Sequence, residues 1–245
     1  MTILFISGCG KGIGREMINN WLKSDKKNKV VGIYRSNVEK ENELEKYADR
    51  LCLVQGDASE KKLLEKCFSS SKKIFKDLPQ KYLVNAGVRC RSNIEDIKND
   101  TLENLWNTNY FGLRKLLILL IDESIIKKNI SLVYVSSIVA NVGFINLDDY
   151  GATKAAAESL LRSIAMKYPS SRFNTVAPGF TKTSYANNFM KNLPDLYDWT
   201  LSRIPTQRWA ESKEICSAIN FLLSNNSSYI TGQRLVVDGG WLASS

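Results

Sequence analysis

Seven short apolar runs recur along the chain: Ile3–Ser7, Val30–Tyr34, Leu51–Gln55, Tyr82–Asn85, Leu132–Ser136, Phe173–Ala177 and Leu235–Val237. Each has the length of a strand, and longer segments with helical spacing separate them. Leu102, Leu105, Trp106, Asn109, Leu113, Leu116 and Leu117 mark one such segment; Ala155, Ala156, Ser159, Leu160 and Ile164 mark another. Repeated strand, helix, strand order requires crossovers, and right-handed crossovers cover both faces of a parallel sheet. The expected fold is therefore α/β, a doubly wound parallel sheet of about seven strands with helices on both faces. No internal repeat and no Pro/Gly/Ser-rich linker divides the 245 residues, so 1–245 is expected to form a single domain. The rhythm breaks once, over about 183–203, where aromatic and polar residues mix after Pro178-Gly179. That stretch reads as a lid over a substrate site.

Composition narrows the chemistry. Histidine is absent, which excludes Ser-His-Asp and Cys-His hydrolysis and any His-ligated metal centre. Acid–base work must then fall to Tyr, Lys, Asp, Glu or Cys. The five cysteines (Cys9, Cys52, Cys67, Cys90, Cys216) are odd in number and never in a C-x-x-C pair, a pattern of reduced thiols rather than of a disulfide framework or zinc site. The longest aliphatic run, Leu116 to Ile121, is six residues, far below the ~20 of a membrane span. The first residues show neither a basic n-region nor a small-residue cleavage site, and a cytoplasmic protein is expected. A net charge of +9 would suit an anionic cofactor, an acidic carrier protein or nucleic acid. The basic residues, however, form short clusters such as Lys26-Lys27 and Lys72-Lys73 on solvated helix faces, with no nucleic-acid reader motif, so no nucleic-acid partner is expected.

The first strand runs directly into Ser7-Gly8-Cys9-Gly10-Lys11-Gly12-Ile13-Gly14, and an amphipathic segment follows. Gly8, Gly12 and Gly14 stand where a strand turns sharply into a helix whose free N–H groups can meet a pyrophosphate. Glycine there lets the backbone approach the anion without a Cβ between them. Tyr150 and Lys154 lie four apart in Tyr150-Gly151-Ala152-Thr153-Lys154, so on a helix they share one face. An adjacent ammonium favours the phenolate and brings a tyrosine toward a useful proton donor near neutral pH.

Together these motifs resemble the short-chain dehydrogenase/reductase family, in particular its 3-oxoacyl-carrier-protein-reductase-like members, and the resemblance runs from Thr2 to Trp241. It extends to Val84-Asn85-Ala86-Gly87, Asn109 in Asn107-Thr108-Asn109-Tyr110-Phe111-Gly112, Ser136-Ser137, Ala177-Pro178-Gly179 with Thr183, and Tyr229 to Gly240. Two departures lie in the C-terminal part: Ala210 stands where glycine is usual and Ser212 where proline is usual. The resemblance implies a Rossmann-like fold and a catalytic set of Asn109, Ser137, Tyr150 and Lys154. In it Ser137, thirteen residues before Tyr150, donates to the carbonyl oxygen and Tyr150 is the acid. Lys154 also holds the nicotinamide ribose, and Asn109 holds a water that links Lys154 to solvent. Ser136 is expected to serve strand-end packing or a backbone hydrogen bond.

Cofactor residues follow from the same likeness: Gly8, Lys11, Gly12, Ile13 and Gly14 in the turn, and Asp57 and Ala58 after the third strand, with Asp57 on the adenine amino group or capping the next helix. Asn85, Ala86 and Gly87 would lie beside the adenosine ribose, Pro178, Gly179 and Thr183 on the nicotinamide side, together with Tyr150 and Lys154. The second strand ends in Arg35-Ser36 with no acid until Glu39. A carboxylate there would favour NAD; Arg35, Ser36 and Lys11 instead suit a 2′-phosphate, so NADP(H) is the expected cofactor, with NAD(H) possible. The expected activity is reduction of a 3-oxoacyl or similar small carbonyl compound, free or carrier-protein-bound. A dehydrogenase of a polar, sugar-like alcohol and a catalytically silent dinucleotide-binding regulator are the competing readings. Phe144, Ile145 and Leu147 with Tyr185, Phe189 and Trp199 are expected to wall the substrate side. Excess apolar residues over 101–128 and 151–167 point, with the family's habit of pairing these helices, to a homotetramer, or failing that a dimer.

Overall fold

The computed structural model describes residues 2–243, without the side chains of Ser184, Tyr185, Asn187 and Asn188. Seven strands form one sheet: β1 (Ile3–Ser7), β2 (Lys29–Tyr34), β3 (Leu51–Gln55), β4 (Lys81–Val84), β5 (Ser131–Val135), β6 (Arg172–Pro178) and β9 (Arg234–Val237). Their order is β3-β2-β1-β4-β5-β6-β9, and every neighbouring pair is parallel. Two further two-residue strands, β7 (Thr181–Lys182) and β8 (Ala210–Glu211), pair beside the sheet. The unusual Ala210 and Ser212 sit here: Ala210 pairs with Thr181, and the Ser212 hydroxyl donates to the Lys182 carbonyl.

Side chains alternate across each strand, and both faces are dry. Ile3 and Phe5 join Tyr82, Leu132, Tyr134 and Phe173 on the face covered by α2 (Lys61–Phe75), α4 (Gly112–Asp122) and α5 (Asp148–Lys167). Leu4 and Ile6 join Leu83, Val133 and Val176 beneath α1 (Gly12–Ser24) and α8 (Ser212–Leu223). A third cluster, with Phe189, Trp209 and Trp241 at its centre, roofs the C-terminal ends of the later strands.

The helix expected from Thr101 to about Lys128 is interrupted. It comprises α3 (Asn99–Trp106), a π-helical turn over Asn107–Phe111 and α4, and it ends at Asp122. Ser124 then adopts a left-handed conformation (φ 55°) before a short 3₁₀ turn at Ile125–Lys127. The segment expected as a lid folds as α6 (Ser184–Asn192) and α7 (Pro194–Arg203), with Pro194 opening α7 where its missing N–H costs nothing. Among the described residues no helix is long and apolar enough to cross a membrane.

Candidate active site

Strand order reverses between β1 and β4, and a crevice opens there at the C-terminal ends of the strands. The cavity has a volume of about 770 Å³. The turn residues Gly8, Lys11, Gly12 and Ile13 line it, as do Arg35, Ser36, Asp57, Ala58, Asn85, Ala86 and Gly87. Ser137, Tyr150, Lys154, Pro178, Gly179 and Thr183 line it too. Of the catalytic and cofactor residues expected at the site, Gly14 and Asn109 are the two that do not line the cavity.

The local geometry explains the glycine turn. Gly8 has φ +70°, and a Cβ on it would stand 2.7 Å from the backbone of Ala86, so only glycine lets β1 and β4 approach this closely. The Ser7 hydroxyl accepts from the N–H groups of Asn85 and Ala86 at 3.2 Å each, and the Asn85 amide donates to the Gly8 carbonyl at 2.8 Å. A Cβ on Gly14 would overlap the Gly8 carbonyl. Gly14 therefore shapes the turn rather than facing a ligand.

Two residues that sequence reasoning passed over hold the next loop in place. The Glu39 N–H donates to the Gly10 carbonyl at 2.7 Å, and the Glu39 carboxylate accepts from the Gly12 N–H at 3.2 Å. Buried Arg15 donates to the carbonyls of Glu39 and Lys40 at 2.6 and 2.9 Å. The loop after β2 is thereby docked on the glycine turn, with exposed Arg35, Ser36 and Lys11 at the same end of the cavity. Asp57 accepts from the Ser59 N–H at 2.7 Å and so closes a local turn; it does not cap α2 as expected, because Glu60 occupies the N-terminal cap position of that helix.

At the other end, α5 begins at Asp148, so Tyr150 and Lys154 are both helical. Lys154 is buried; its ammonium donates to the Val135 carbonyl at 2.9 Å and lies 4.7 Å from the centre of the Tyr134 ring. Burial pushes its pKa down to about 7, and the nearby Glu158 carboxylate pushes it back up. Asn109 is inaccessible and acts as a clamp: its amide accepts from the Val88 N–H and donates to the Val88 carbonyl and the Thr153 hydroxyl. Its main-chain carbonyl accepts from the Tyr134 hydroxyl at 2.8 Å. The π turn is what carries this asparagine inward from the helix.

Ser137 is half-buried and extended, and its hydroxyl accepts from the Val139 N–H at 3.4 Å. The buried Ser136 hydroxyl has no hydrogen-bond partner among the described residues, so of the two roles expected of it the backbone bond is not made and strand-end packing is left, at the cavity wall.

The expected substrate wall is only partly realised. Phe144 and Leu147 line the cavity, joined by Ile138, Val139, Phe180 and Trp209, which the amphipathic pattern did not single out. Ile145 is 84% exposed, Phe189 is buried against Trp209, and Trp199 packs edge-on to Trp241. The side chain of Tyr185 lies outside the described residues. Of the charged lining residues, Lys11, Arg35, Arg89 and Lys154 are cationic and Asp57 is anionic, a balance suited to a dinucleotide's phosphates. Burial pushes the thiols of Cys9, Cys67 and Cys216 up to about 12, which keeps them neutral.

The chain is similar to known proteins over most of its length. The family described as enoyl-(acyl carrier protein) reductase matches residues 8–242. A chloroplastic tropinone reductase homolog of Arabidopsis thaliana is 30% identical over 96% of this chain and 74% of its own length. The 3-oxoacyl-(acyl-carrier-protein) reductase of Thermotoga maritima is 31% identical over 69% of this chain and 71% of its own. A gluconate 5-dehydrogenase from Burkholderia cenocepacia, solved in complex with NADP and tartrate, superposes with a TM-score of 0.87 at 20% identity, covering 100% of this chain and 96% of that one. With its parallel sheet, its glycine turn and these relatives, the chain belongs to the short-chain dehydrogenase/reductase family of oxidoreductases.

Proposed function

We propose that this protein is an NADP(H)-dependent ketone reductase that works as a cytoplasmic homotetramer, each chain one domain, on a 3-oxoacyl or similar carbonyl compound, free or carrier-bound. The observation that carries this reading is the convergence of Ser137, Tyr150 and the anchored ammonium of Lys154 on one cavity whose opposite end is rimmed by Lys11, Arg35 and Ser36. A nicotinamide held against Tyr150, Lys154, Pro178, Gly179 and Thr183 would supply or accept the hydride. The chain's own groups manage the proton: Ser137 donates to the carbonyl oxygen as charge builds on it, and Tyr150 delivers a proton to that oxygen. Lys154, fixed by the Val135 carbonyl, stabilises the tyrosinate left behind. Asn109 keeps the turn at Val88 and α5 in register through Thr153.

The apolar lining on the serine side favours a ketone with an apolar body over a polyol. Each polyol hydroxyl left unpaired against Ile138, Val139, Phe144 and Leu147 would cost about 1–3 kcal/mol. NADPH oxidation followed with a panel of ketones and sugars tests the reading: apolar 3-oxo compounds should be reduced and sugars left untouched. Tyr150→Phe should lower kcat by about 10²–10⁴-fold with NADPH binding retained. A Tyr150→Phe protein that keeps most of its kcat removes the assignment.

A further inference from the structure

Beside the candidate active site lies a partly buried ion pair that the chemistry above does not use. Arg234 opens β9, and Glu158 sits one turn beyond Lys154 on α5. Nε of Arg234 meets Oε1 of Glu158 at 3.1 Å, with the two side chains 17% and 7% exposed. The second arm of the guanidinium reaches another element: Nη2 donates to the main-chain carbonyl of Ser137 at 3.1 Å. One planar fork therefore ties β9, α5 and the turn after β5 together at the serine.

Each end of the pair lies beside one member of the proton-transfer set: the Arg234 guanidinium bonds the main chain of Ser137, and Glu158 stands one helical turn from Lys154. Among the described residues the hydroxyl of Ser137 takes a long 3.4 Å bond from the Val139 N–H, so its aim depends on where the main chain is held, and Arg234 holds it. Glu158, four residues beyond Lys154, shares its face of α5. The titratable and charged groups around the Lys154 ammonium are Tyr134 from β5 and Tyr150 and Glu158 from α5, with Arg234 of β9 behind Glu158. Glu158 is the carboxylate in that set. A buried ion pair kept for stability alone has little advantage over apolar side chains of the same volume.

We propose that Glu158 and Arg234 are positioning residues for proton transfer: the guanidinium fixes the main chain that aims the Ser137 hydroxyl, and the carboxylate supplies the counter-charge to the Lys154 ammonium. The proposal rests on the roles given above to Ser137, Tyr150 and Lys154. Arg234→Lys keeps a cation for Glu158 but lacks the fork that also reaches Ser137. Its kcat for ketone reduction should fall about ten- to hundred-fold, with Tm and the KM for NADPH little changed. Glu158→Gln keeps a hydrogen bond to Arg234 and loses the charge, so the alkaline limb of kcat/KM should move down by about one pH unit. Because Glu158→Gln leaves the Arg234 guanidinium without its counter-charge, the double variant Glu158→Met/Arg234→Met is the control for folding. It should melt at or above the parent temperature and still lose kcat at least ten-fold.

Parent kcat and a parent pH profile in the double variant, or losses in all variants that simply track Tm, would overturn the proposal. Tyr150→Phe, assayed alongside, separates the two levels. If it is inactive while the Glu158 and Arg234 variants behave like the parent, only the positioning role fails. If it keeps parent activity, the underlying assignment fails and the positioning role falls with it.

Discussion

Lys154 must carry a charge in a place that disfavours one. Burial holds its pKa near 7 in the folded chain against 10.5 for an ordinary lysine, so between those values the unfolded chain binds more protons than the folded one. Stability should therefore rise with pH across that window, and the full penalty is present below it. Lys154→Met removes the penalty, each pKa unit of which corresponds to about 1.4 kcal/mol. The variant should melt several degrees above the parent at pH 7, at roughly 2–4 °C per kcal/mol, with the gap closing toward pH 10 and activity lost. A gap that stays constant with pH would mean that packing alone is responsible. Arg35 is the second test at this scale. Hydrogen bonds to charged groups contribute about 1.5–3 kcal/mol, so Arg35→Asp should shift the ratio of kcat/KM values toward NADH by about ten- to hundred-fold. Equal kcat/KM for the two cofactors in the parent would show that these cations do not read the 2′-phosphate. Residues with a local meaning were legible in the sequence: the glycine turn and the Tyr150–Lys154 pair need only their own spacing. Arg15 and Arg234 were not, because their partners lie 24 and 76 positions away and nothing in the sequence brings them near.

At the scale of elements, strands were the easier reading, because both faces of this sheet are dry and an uninterrupted apolar run has few alternatives. Ile3–Ser7 and Leu51–Gln55 have the expected bounds, and the others differ by a residue or so at their ends. The 99–122 helix was harder. Its apolar spacing passes through Asn107–Phe111 unchanged, while the backbone inserts a π turn to send Asn109 inward. The 183–203 segment shows the other limit of periodicity, which marks apolar residues without saying which surface they cover. Phe189 packs beneath α6 on Trp209, and Trp199 lies 44% exposed on Trp241. Because α6 and α7 border a cavity lined by Thr183 and Trp209, they are expected to tighten over bound cofactor. Limited proteolysis should then cut within 183–203 several-fold more slowly with saturating NADPH than without it. Equal cleavage rates would remove the lid.

At the scale of the whole molecule, the surface retains more apolar area on certain helices than the core accounts for. Phe111 and Ile121 on the 99–122 helix are 39% and 36% exposed, and Met166 near the end of α5 is 87% exposed. Phe221 on α8 and Tyr229 beyond it add further exposed apolar surface on another element. Two such patches on different elements are what dihedral assembly requires, since each two-fold axis buries its own self-complementary face. A stable interface buries about 1,200–2,000 Å² in total, and an apolar centre is needed to offset the repulsion between chains that each carry +9. Light scattering at micromolar concentration should therefore give four times 27.7 kDa, and the assembly should tighten as salt rises, because screening weakens like-charge repulsion while leaving apolar burial intact. Ile121→Glu places a charge among the exposed apolar residues of the 99–122 helix and should halve the mass without altering helix content. A monomeric mass at every salt concentration would contradict the assembly, and an Ile121→Glu protein of unchanged mass would place the interface elsewhere.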